Sequence, residues 1–253
     1  MSLIIHTIVP DGIVVSADTR ITCKDKDGNV RYDDTAEKII PFPNKIVVSH
    51  CGDAKIRDDL TVIEFLYDIR KKYGTKATIT DLPLRLLNEY NRANGCNDSV
   101  FKISGFIDSM FFSGCTYTVA TKEKTVNLSI KPYVYGASYA GITEIAHAIM
   151  ASGIDYNNLS ISDAIDLTRG CVQENIDVFK YHPAQSIGGT CQTYVIDTLH
   201  HKTGWLQDNG NLLPDENAPD DACAKYQEQY FLRMQKEIEK ELANKKNSKR
   251  GKK

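Results

Sequence analysis

The sequence predicts an α+β protein built as a four-layer α-β-β-α sandwich, in which two antiparallel sheets are stacked and helices cover their outer faces. Two observations support this fold class. The predicted elements follow the order strands, two helices, strands, two helices, strands, and such segregation favours stacked layers of sheet and helix. The chain has 253 residues, 42% of them hydrophobic, which suffices for a domain with a sizeable core.

The first part of the chain predicts paired strands. Residues 2–9 and 13–17 are rich in β-forming side chains and flank the turn signal V-P-D-G, so they predict a hairpin. The polar segment 24–34 contains Asp-Gly and predicts either a loop or a small second hairpin. Pro43-Asn44 marks a turn between two further strands, IIPF and KIVVSH.

Helices and strands follow in groups along the rest of the chain. Helical periodicity and residues typical of helix N-caps predict four helices. They are expected over Asp59–Tyr73, after Thr80 or Asp81, over Tyr139–Ala151, and over Ile161–Val178 after Ser160 or Ser162. The strands are expected at FKISGFI, TYTVAT, TVNLSI, TCQTYVIDT and HHKTGWL.

The C-terminal residues differ in composition from the rest. We expect residues 2–210 to form the folded domain and residues 211–253 to be an extension. Residues 220–243 carry a helical stripe of apolar side chains among charges, and the basic end KKNSKRGKK predicts a disordered tail. A solvated end accounts for this tail better than contact with an acidic partner does.

Composition and charge argue against several function classes. A net charge of -2 provides no basic field for nucleic acid, and the apolar runs are too short and interrupted to span a membrane. The N-terminus lacks the basic region of a secretory signal, so a cytoplasmic location is expected. The 7 cysteines are odd in number and widely spaced, which favours reduced thiols over a metal site or a disulfide framework. We predict no cofactor.

The stretch D-G-I-V-V-S-A-D-T-R-I-T resembles the opening of proteasome β-type subunits and of the related bacterial proteasome-like peptidases. In that family of N-terminal-nucleophile (Ntn) hydrolases, the nucleophile leads the first strand and a motif A-D-[ST]-R-x-T follows. Counting back from Asp18 without a gap reaches Ser2. The motif A-E-K-I-I resembles the family's lysine motif and gives Lys38, and the oxyanion glycine, fourteen residues further on, corresponds to Gly52. The resemblance covers roughly residues 2–200.

The resemblance implies that Ser2, Asp18, Lys38 and Gly52 are catalytic. The residue types support the same chemistry, because a hydroxyl needs a base to act as a nucleophile. Removal of Met1 would give Ser2 a free α-amine, whose ordinary pKa of about 7.7–8.0 suits a general base. Lys38 would lower the proton affinity of that amine, and Asp18 would hold Lys38 in position. The Gly52 N–H would stabilise the oxyanion.

The chain departs from the family pattern at the nucleophile and in a nearby strand. The family carries Gly-Ser-Gly where this chain has Y-G-A-S-Y-A-G, so either Ala137 takes the place of the serine or a shift of one residue brings in Ser138 as a supporting residue. Ser2 itself stands where the family has threonine. Because the threonine methyl restricts χ1, the serine is expected to be held less firmly in its attacking rotamer.

A second departure precedes the last predicted strands. Gly188-Gly189 fits the glycine pair of the family, but Ala184 and Ile187 stand where an aspartate and a serine normally precede that pair. Asp177 and Ser186 are substitutes only if the loop is rearranged. These differences concern the residues that would support the nucleophile, so they bear on the catalytic rate more than on the fold.

The same ungapped alignment predicts a substrate pocket. Thr22, His50 and Ala54 correspond to residues that line the first specificity pocket of the family, and Asp58 corresponds to one near its base. A carboxylate there would favour a basic substrate side chain. His50 has an equally good structural explanation as a hydrogen-bonded strand residue.

The resemblance also implies partners. Members of the family stack into rings whose chambers enclose the active sites, so we expect a homo-oligomeric ring or spiral that acts on peptides or unfolded proteins. An ATP-dependent unfoldase could feed such an assembly, and it would be a separate protein, because this chain has no G-x-x-x-x-G-K-[ST] motif through which to bind ATP. The leading prediction is a peptidase. The alternatives are a catalytically silent scaffold subunit and an Ntn acylase or transpeptidase that passes the acyl group to another acceptor.

Overall fold

The computed structural model describes residues 2–24, 29–107, 113–142, 144–150, 152–182 and 186–214. Over these ranges the chain is a mixed α+β protein with several antiparallel sheets and four α-helices, which confirms the predicted α+β class. The predicted helix at 220–243 and the basic tail lie outside the described residues. No helix within the described ranges is long and apolar enough to cross a membrane.

The strands in the described ranges are short to medium in length. Their bounds are β1 Leu3–Val9, β2 Gly12–Asp18, β3 Ile21–Lys24, β4 Val30–Asp33, β5 Ile39–Phe42, β6 Ile46–Gly52, β7 Lys55–Arg57, β8 Leu60–Thr61, β9 Ser99–Phe106, β10 Gly114–Ala120, β11 Thr125–Ile130, β12 Gly136–Gly141, β13 Cys191–Asp197, β14 Lys202–Leu206 and β15 Leu212–Pro214. The α-helices are α1 Val62–Tyr73, α2 Leu82–Arg92, α3 Glu144–Met150 and α4 Ile161–Phe179.

The strands form two large antiparallel sheets and two small hairpins. The six-stranded sheet has the order β12-β1-β2-β13-β14-β15, and the five-stranded sheet has the order β11-β10-β9-β6-β5. The hairpin β3-β4 falls within segment 24–34 and its flank, so the second of the two predicted alternatives is confirmed. The hairpin β7-β8 was not predicted.

Alternation along the central strands assigns their side chains to two different cores. On β1, Ile4 and Ile8 belong to a cluster that contains residues of both sheets, whereas Leu3 and Ile5 belong to a cluster shared with α3 and α4. All seven residues of β1 are buried. A strand covered on both faces needs apolar side chains at nearly every position, which explains the continuous run in the sequence.

Helices α1 and α2 pack against the five-stranded sheet. Phe65 of α1 and Leu86 of α2 share a buried cluster with Val48 of β6 and Phe101 of β9. The preceding residue on β6, Val47, faces the other sheet instead. Each large sheet therefore contacts helices through one face and shares a core with the other sheet through the opposite face.

Three predicted boundaries need correction. The predicted helix Tyr139–Ala151 is wrong in its first part, because residues 136–141 form β12 and the helix begins at Glu144. Backbone pairing of Tyr139 with Ile5 overrides the helical pattern there. Helix α1 begins at Val62 after a Thr61 cap, and β15 continues the six-stranded sheet past the predicted domain boundary at residue 210.

Two predicted helix caps can be compared with the structure. Ser160 caps α4 through a reciprocal capping box with Asp163, which decides between the two predicted serines. Asp81 occupies the N-cap of α2 without a side-chain hydrogen bond to the helix N-terminus. Side chains therefore fix the N-terminus of α4, and this helix packs on β1.

We predict that Ser160→Ala lowers the free energy of unfolding by about 1 kcal/mol, because it removes the acceptor for the Asp163 backbone N–H. The matched control is Ser162→Ala, which changes an exposed serine inside the first turn of the same helix. Urea unfolding of both variants measures the difference. Equal losses in the two variants would contradict the assignment of Ser160 as the cap.

Candidate active site

Antiparallel pairing brings four predicted site residues to one edge of the two large sheets, namely the edge at which their strands begin or end. Ser2 precedes β1 and Asp18 ends β2, and these two strands pair with each other. Lys38 precedes β5 and Gly52 ends β6, which are likewise paired. A salt bridge of 2.8 Å between Lys38 Nζ and Asp18 Oδ1 joins the two pairs of strand ends.

The Asp18 carboxylate is the centre of this arrangement. It is fully buried and accepts hydrogen bonds on both oxygens. Oδ1 accepts from the backbone N–H of Leu3 at 2.9 Å and from Lys38 Nζ at 2.8 Å. Oδ2 accepts from the backbone N–H groups of Arg20 and Gly188, both at 3.2 Å. Because a buried carboxylate is stable only when it is well paired, these donors fix its position.

The Lys38 side chain is buried with its ammonium group directed at Asp18. Burial lowers the pKa of Lys38, and the adjacent Asp18 carboxylate acts in the opposite direction. The Lys38 backbone is also held, since its carbonyl accepts from the His50 N–H at 3.1 Å. The lysine therefore has both its backbone and its charged end fixed.

Ser2 is buried at the start of the six-stranded sheet. Its carbonyl accepts from the Ile142 N–H at 3.0 Å, and the next residue donates to Asp18. Gly141 has a φ of 105°, and a Cβ at this position would lie 1.7 Å from the Ser2 carbonyl oxygen. Only glycine permits this close approach, so the backbone on both sides of the Ser2 carbonyl is fixed.

Gly52 is exposed where β6 ends. It has a φ of 107°, and a Cβ would lie 2.4 Å from the Asp98 carbonyl oxygen, so the position requires glycine. Gly52 lies two residues beyond His50, whose N–H bonds to the Lys38 carbonyl. The backbone at this exposed strand end lies next to the segment that carries Lys38, and an N–H in such a position can donate to a ligand.

The glycine pair predicted from the sequence lies against the residues that follow Asp18. The Arg20 guanidinium binds the Asp34 carboxylate at 2.6 and 2.7 Å, and a Cβ on Gly188 would lie 2.3 Å from its central carbon. Thr19 Oγ1 donates to the Asp34 carbonyl at 2.6 Å, and a Cβ on Gly189 would lie 2.2 Å from that hydroxyl. Because the two glycines have no Cβ, their backbone packs closely against Arg20 and Thr19, and the Gly188 N–H reaches Asp18.

Ser138 does not lie beside Ser2, which corrects one predicted supporting residue. In the register of β1 and β12, Ser138 is opposite His6, and Gly141 is the residue opposite Leu3. Ser138 instead accepts from Lys102 Nζ at 2.6 Å. A displacement of three residues along a strand is about 10 Å, so the alternative that brings in Ser138 does not place it beside Ser2.

A second polar network lies between the sheets around the buried Lys102 and His6. Lys102 Nζ also donates to Thr118 Oγ1 at 2.9 Å, and the His6 ring bonds to two serine hydroxyls at 2.6 Å, those of Ser104 and Ser49. Burial lowers the pKa of Lys102 to about 8. Burial, with Lys102 as a second cause, also lowers the pKa of His6 well below its usual value. These groups were not identified from the sequence, which shows only isolated polar residues within strands.

The other residues expected near the glycine pair have separate environments. Ile187 is fully buried in the cluster beneath α4, and Ser186 is buried with its hydroxyl unpaired among the described residues. Asp177 of α4 pairs with Lys180, the residue that follows this helix, so it does not act as the predicted substitute. Ala184 lies outside the described residues.

The predicted pocket residues lie on three different elements. Thr22 is on β3 with a buried hydroxyl that has no partner among the described residues. His50 is buried on β6, and Ala54 follows that strand in the turn before β7. Asp58 is exposed between β7 and β8, where its carbonyl accepts from Lys55 Nζ at 3.2 Å. In the described part of the chain no hydrogen bond or ion pair joins the Asp58 carboxylate to the other three.

Comparison with protein-family models found no match to this chain, and neither did a search among curated proteins. Within the described ranges, no group of three or more His, Cys, Asp or Glu side chains is arranged to hold a metal ion. The residues and their geometry therefore carry the functional argument.

We predict strong coupling between Asp18 and Lys38. Lys38→Met should lower the free energy of unfolding by about 3–5 kcal/mol, because it leaves a buried carboxylate without its cation. Asp18→Asn should also destabilise, and the double variant should lose less than the sum of the two single losses. Urea unfolding of the four proteins measures this. The exposed pair Arg169–Asp208 serves as a control with little expected coupling, and additive losses at Asp18 and Lys38 would contradict the prediction.

We predict that His50 reduces stability in acid. Burial, with the nearby Lys38 charge as a second cause, lowers the pKa of His50 to about 4. In the unfolded state the histidine pKa is about 6.5, so below that pH the unfolded state takes up a proton that the folded state excludes. Stability is therefore full above about pH 6.5 and falls towards pH 4, by up to about 3 kcal/mol.

Unfolding free energies between pH 7 and pH 4 provide the test. The variant His50→Leu should lose less stability over this range than the unmodified protein. The control His147→Leu changes an exposed histidine, keeps His50, and should retain the full acid-dependent loss. Parallel pH curves for His50→Leu and the unmodified protein would show that His50 is not responsible.

Proposed function

We propose that this chain is an N-terminal-nucleophile hydrolase that cleaves peptide bonds, with Ser2 as the nucleophile. Its fold would be the four-layer α-β-β-α sandwich of that class. The three clusters described above support this fold, since one lies between the two large sheets and each of the other two lies between one sheet and its helices. The resemblance of the Asp18, Lys38 and Gly52 motifs to those of proteasome-type subunits supports the same proposal.

The observation that carries the proposal is the set of donors on Asp18. One buried carboxylate binds the backbone N–H directly after Ser2 and the ammonium group of Lys38. A carboxylate with only a structural role at a strand end typically binds backbone N–H groups close to it in sequence. The Asp18 carboxylate also fixes the residues around Ser2 relative to a buried lysine. That is the requirement for catalysis by a residue that supplies both a hydroxyl and an amine.

The proposed reaction uses the two groups of Ser2 in sequence. After removal of Met1, the free amine accepts the proton of the hydroxyl, directly or through a water, while Oγ attacks the substrate carbonyl carbon. The Gly52 N–H stabilises the oxyanion of the tetrahedral intermediate. The protonated amine then donates its proton to the leaving nitrogen, and the C–N bond breaks to leave an ester on Ser2. Water hydrolyses this ester by the same route and regenerates both groups.

Lys38 supports this reaction through its charge. A positive charge near the Ser2 amine lowers the proton affinity of that amine, so more of it is in the free-base form at neutral pH. Asp18 keeps Lys38 oriented, as the 2.8 Å contact indicates. Basic substrate side chains are proposed from Asp58, and a cytoplasmic homo-oligomeric ring or spiral, fed by a separate ATP-dependent unfoldase, is proposed from the family resemblance alone.

A silent scaffold subunit is the second candidate. Two observations favour it, namely the displacement of Ser138 from Ser2 and the burial of Ile187 in the hydrophobic core. The retained motif residues favour the active enzyme, because a scaffold needs neither a buried Lys38–Asp18 ion pair nor the glycine-only backbone of Gly52 at the same edge. An acylase or transpeptidase would share the acyl-enzyme step and differ only in the acceptor.

We predict that a peptide epoxyketone forms one covalent adduct with the purified protein. This reagent requires a hydroxyl and a free amine on the same residue to form its ring. Intact mass spectrometry should find a protein that has lost Met1 and gained one adduct. Ser2→Ala should abolish the adduct, whereas Ser162→Ala, at an exposed serine, should not change it.

The other outcomes distinguish the candidates. Retention of Met1 would remove the proposed base and leave the scaffold as the better explanation. A processed protein that forms no adduct, even after isolation of its largest assembly, would also count against the hydrolase. If the adduct forms, a panel of peptide and acyl-amide substrates separates the peptidase from the acylase or transpeptidase.

A further inference from the structure

The Gln192 side chain links the strand next to Asp18 to the backbone that carries Lys38. Gln192 lies on β13, which pairs with β2 so that Gln192 is opposite Ala17. Its Oε1 accepts from the Lys38 N–H at 3.2 Å, and its Nε2 donates to the Ala36 carbonyl at 2.6 Å. The two contacts fix the amide orientation, because a backbone N–H needs an acceptor and a carbonyl needs a donor.

This link crosses from one large sheet to the other. Gln192 belongs to the six-stranded sheet, whereas Lys38 immediately precedes β5 of the five-stranded sheet. The Lys38–Asp18 salt bridge crosses between the same two strand systems. The His50 N–H holds the Lys38 carbonyl within the five-stranded sheet, and the Gln192 carboxamide, bound to residues 36 and 38, adds a hold on the same backbone from the other sheet.

We propose that Gln192 is a positioning residue that sets the backbone of Lys38, and through it the distance of the lysine charge from the Ser2 amine. This inference rests on the proposed function for its catalytic consequence. Gln192 would not touch the substrate. Its effect would be to keep Lys38 and Asp18 in one geometry on opposite sheets while the nucleophile reacts.

The groups around Lys38 determine what a change at Gln192 does. Asp18 faces it from β2, Asp34 from the segment after β4, and Cys51 and His50 from β6. The environment therefore combines two carboxylates, a buried thiol and a buried imidazole. A carboxylate in place of the Gln192 amide would add negative charge, which raises the pKa of Lys38 and of a nearby amine.

Three substitutions separate these effects. Gln192→Met keeps the length and removes both hydrogen bonds, and Gln192→Asn keeps the amide but is one methylene too short to bridge both partners. Gln192→Glu keeps the acceptor for the Lys38 N–H, loses the donor for the Ala36 carbonyl, and adds a charge. The matched control is Gln173→Met on the exposed face of α4.

The first measurement is the rate of epoxyketone modification of Ser2 in the full chain, as a function of reagent concentration and pH. For Gln192→Met and Gln192→Asn we expect the maximal rate to fall at least about tenfold, with little change in the concentration that gives half the maximal rate. For Gln192→Glu we expect the pH profile to move to higher pH. Gln173→Met should match the unmodified protein.

The second measurement reports on Lys38 without catalysis. In protein labelled with ¹³C at the lysine ε-carbon, Lys38→Arg identifies the Lys38 signal, and its pH titration gives the pKa. We expect Gln192→Glu to raise this pKa relative to the unmodified protein. Circular dichroism and thermal unfolding establish that each variant is folded, and if Gln192→Met is not, Gln192→Asn takes its place as the uncharged variant.

The outcomes separate the two proposals. If the unmodified protein reacts at Ser2 and the folded Gln192 variants keep its rate, pH profile and Lys38 titration, Gln192 has no positioning role. If Ser2 does not react in any protein but the Lys38 titration moves in an uncharged variant, Gln192→Met or Gln192→Asn, the proposed function fails and the link from Gln192 to Lys38 stands. A change in both measurements supports both proposals.

Discussion

The buried Asp18 carboxylate is the constraint on which the rest of this edge depends. Its donors come from β1, from the segment before β5, from its own strand end and from the glycine pair before β13. A charge removed from water is tolerated only when such donors are all in position. The first strand, the lysine and the glycine pair therefore have to be arranged together, and the close packing of Gly188 against Arg20 follows from the same requirement.

The two sheets are held together by different means at different depths. At the edge the contact is ionic, through Lys38 and Asp18. Further along the strands it is apolar, through residues such as Ile4 and Val47, and the layer around His6 and Lys102 is bonded through hydroxyl groups. Buried polar groups of this kind specify one register, because a slip of one residue would leave them unpaired.

Much of this fold could be predicted from the sequence, and the errors have identifiable causes. The β1-β2 hairpin and helix α4 were predicted because runs of β-forming residues, the V-P-D-G turn and a serine cap are local signals. The local sequence of residues 139–141 predicts helix, and only their pairing with β1, far away in sequence, makes them a strand. Asp18 and Lys38 were found through motif spacing. Gln192 and Lys102 were not, since their roles depend on contacts between sheets that no local pattern records.

The order in which the chain is synthesised gives the donors of Asp18 a further significance. Gly188 follows Asp18 by 170 residues, and β12, which pairs with β1 on its other side, also comes late in the chain. A nascent polypeptide folds only from the residues that have already emerged. The edge that holds Ser2 consequently stays open during most of translation, and it closes when the last third of the domain has left the ribosome. The topology itself thus delays the closure of this edge around Asp18 until the late strands of the domain are present.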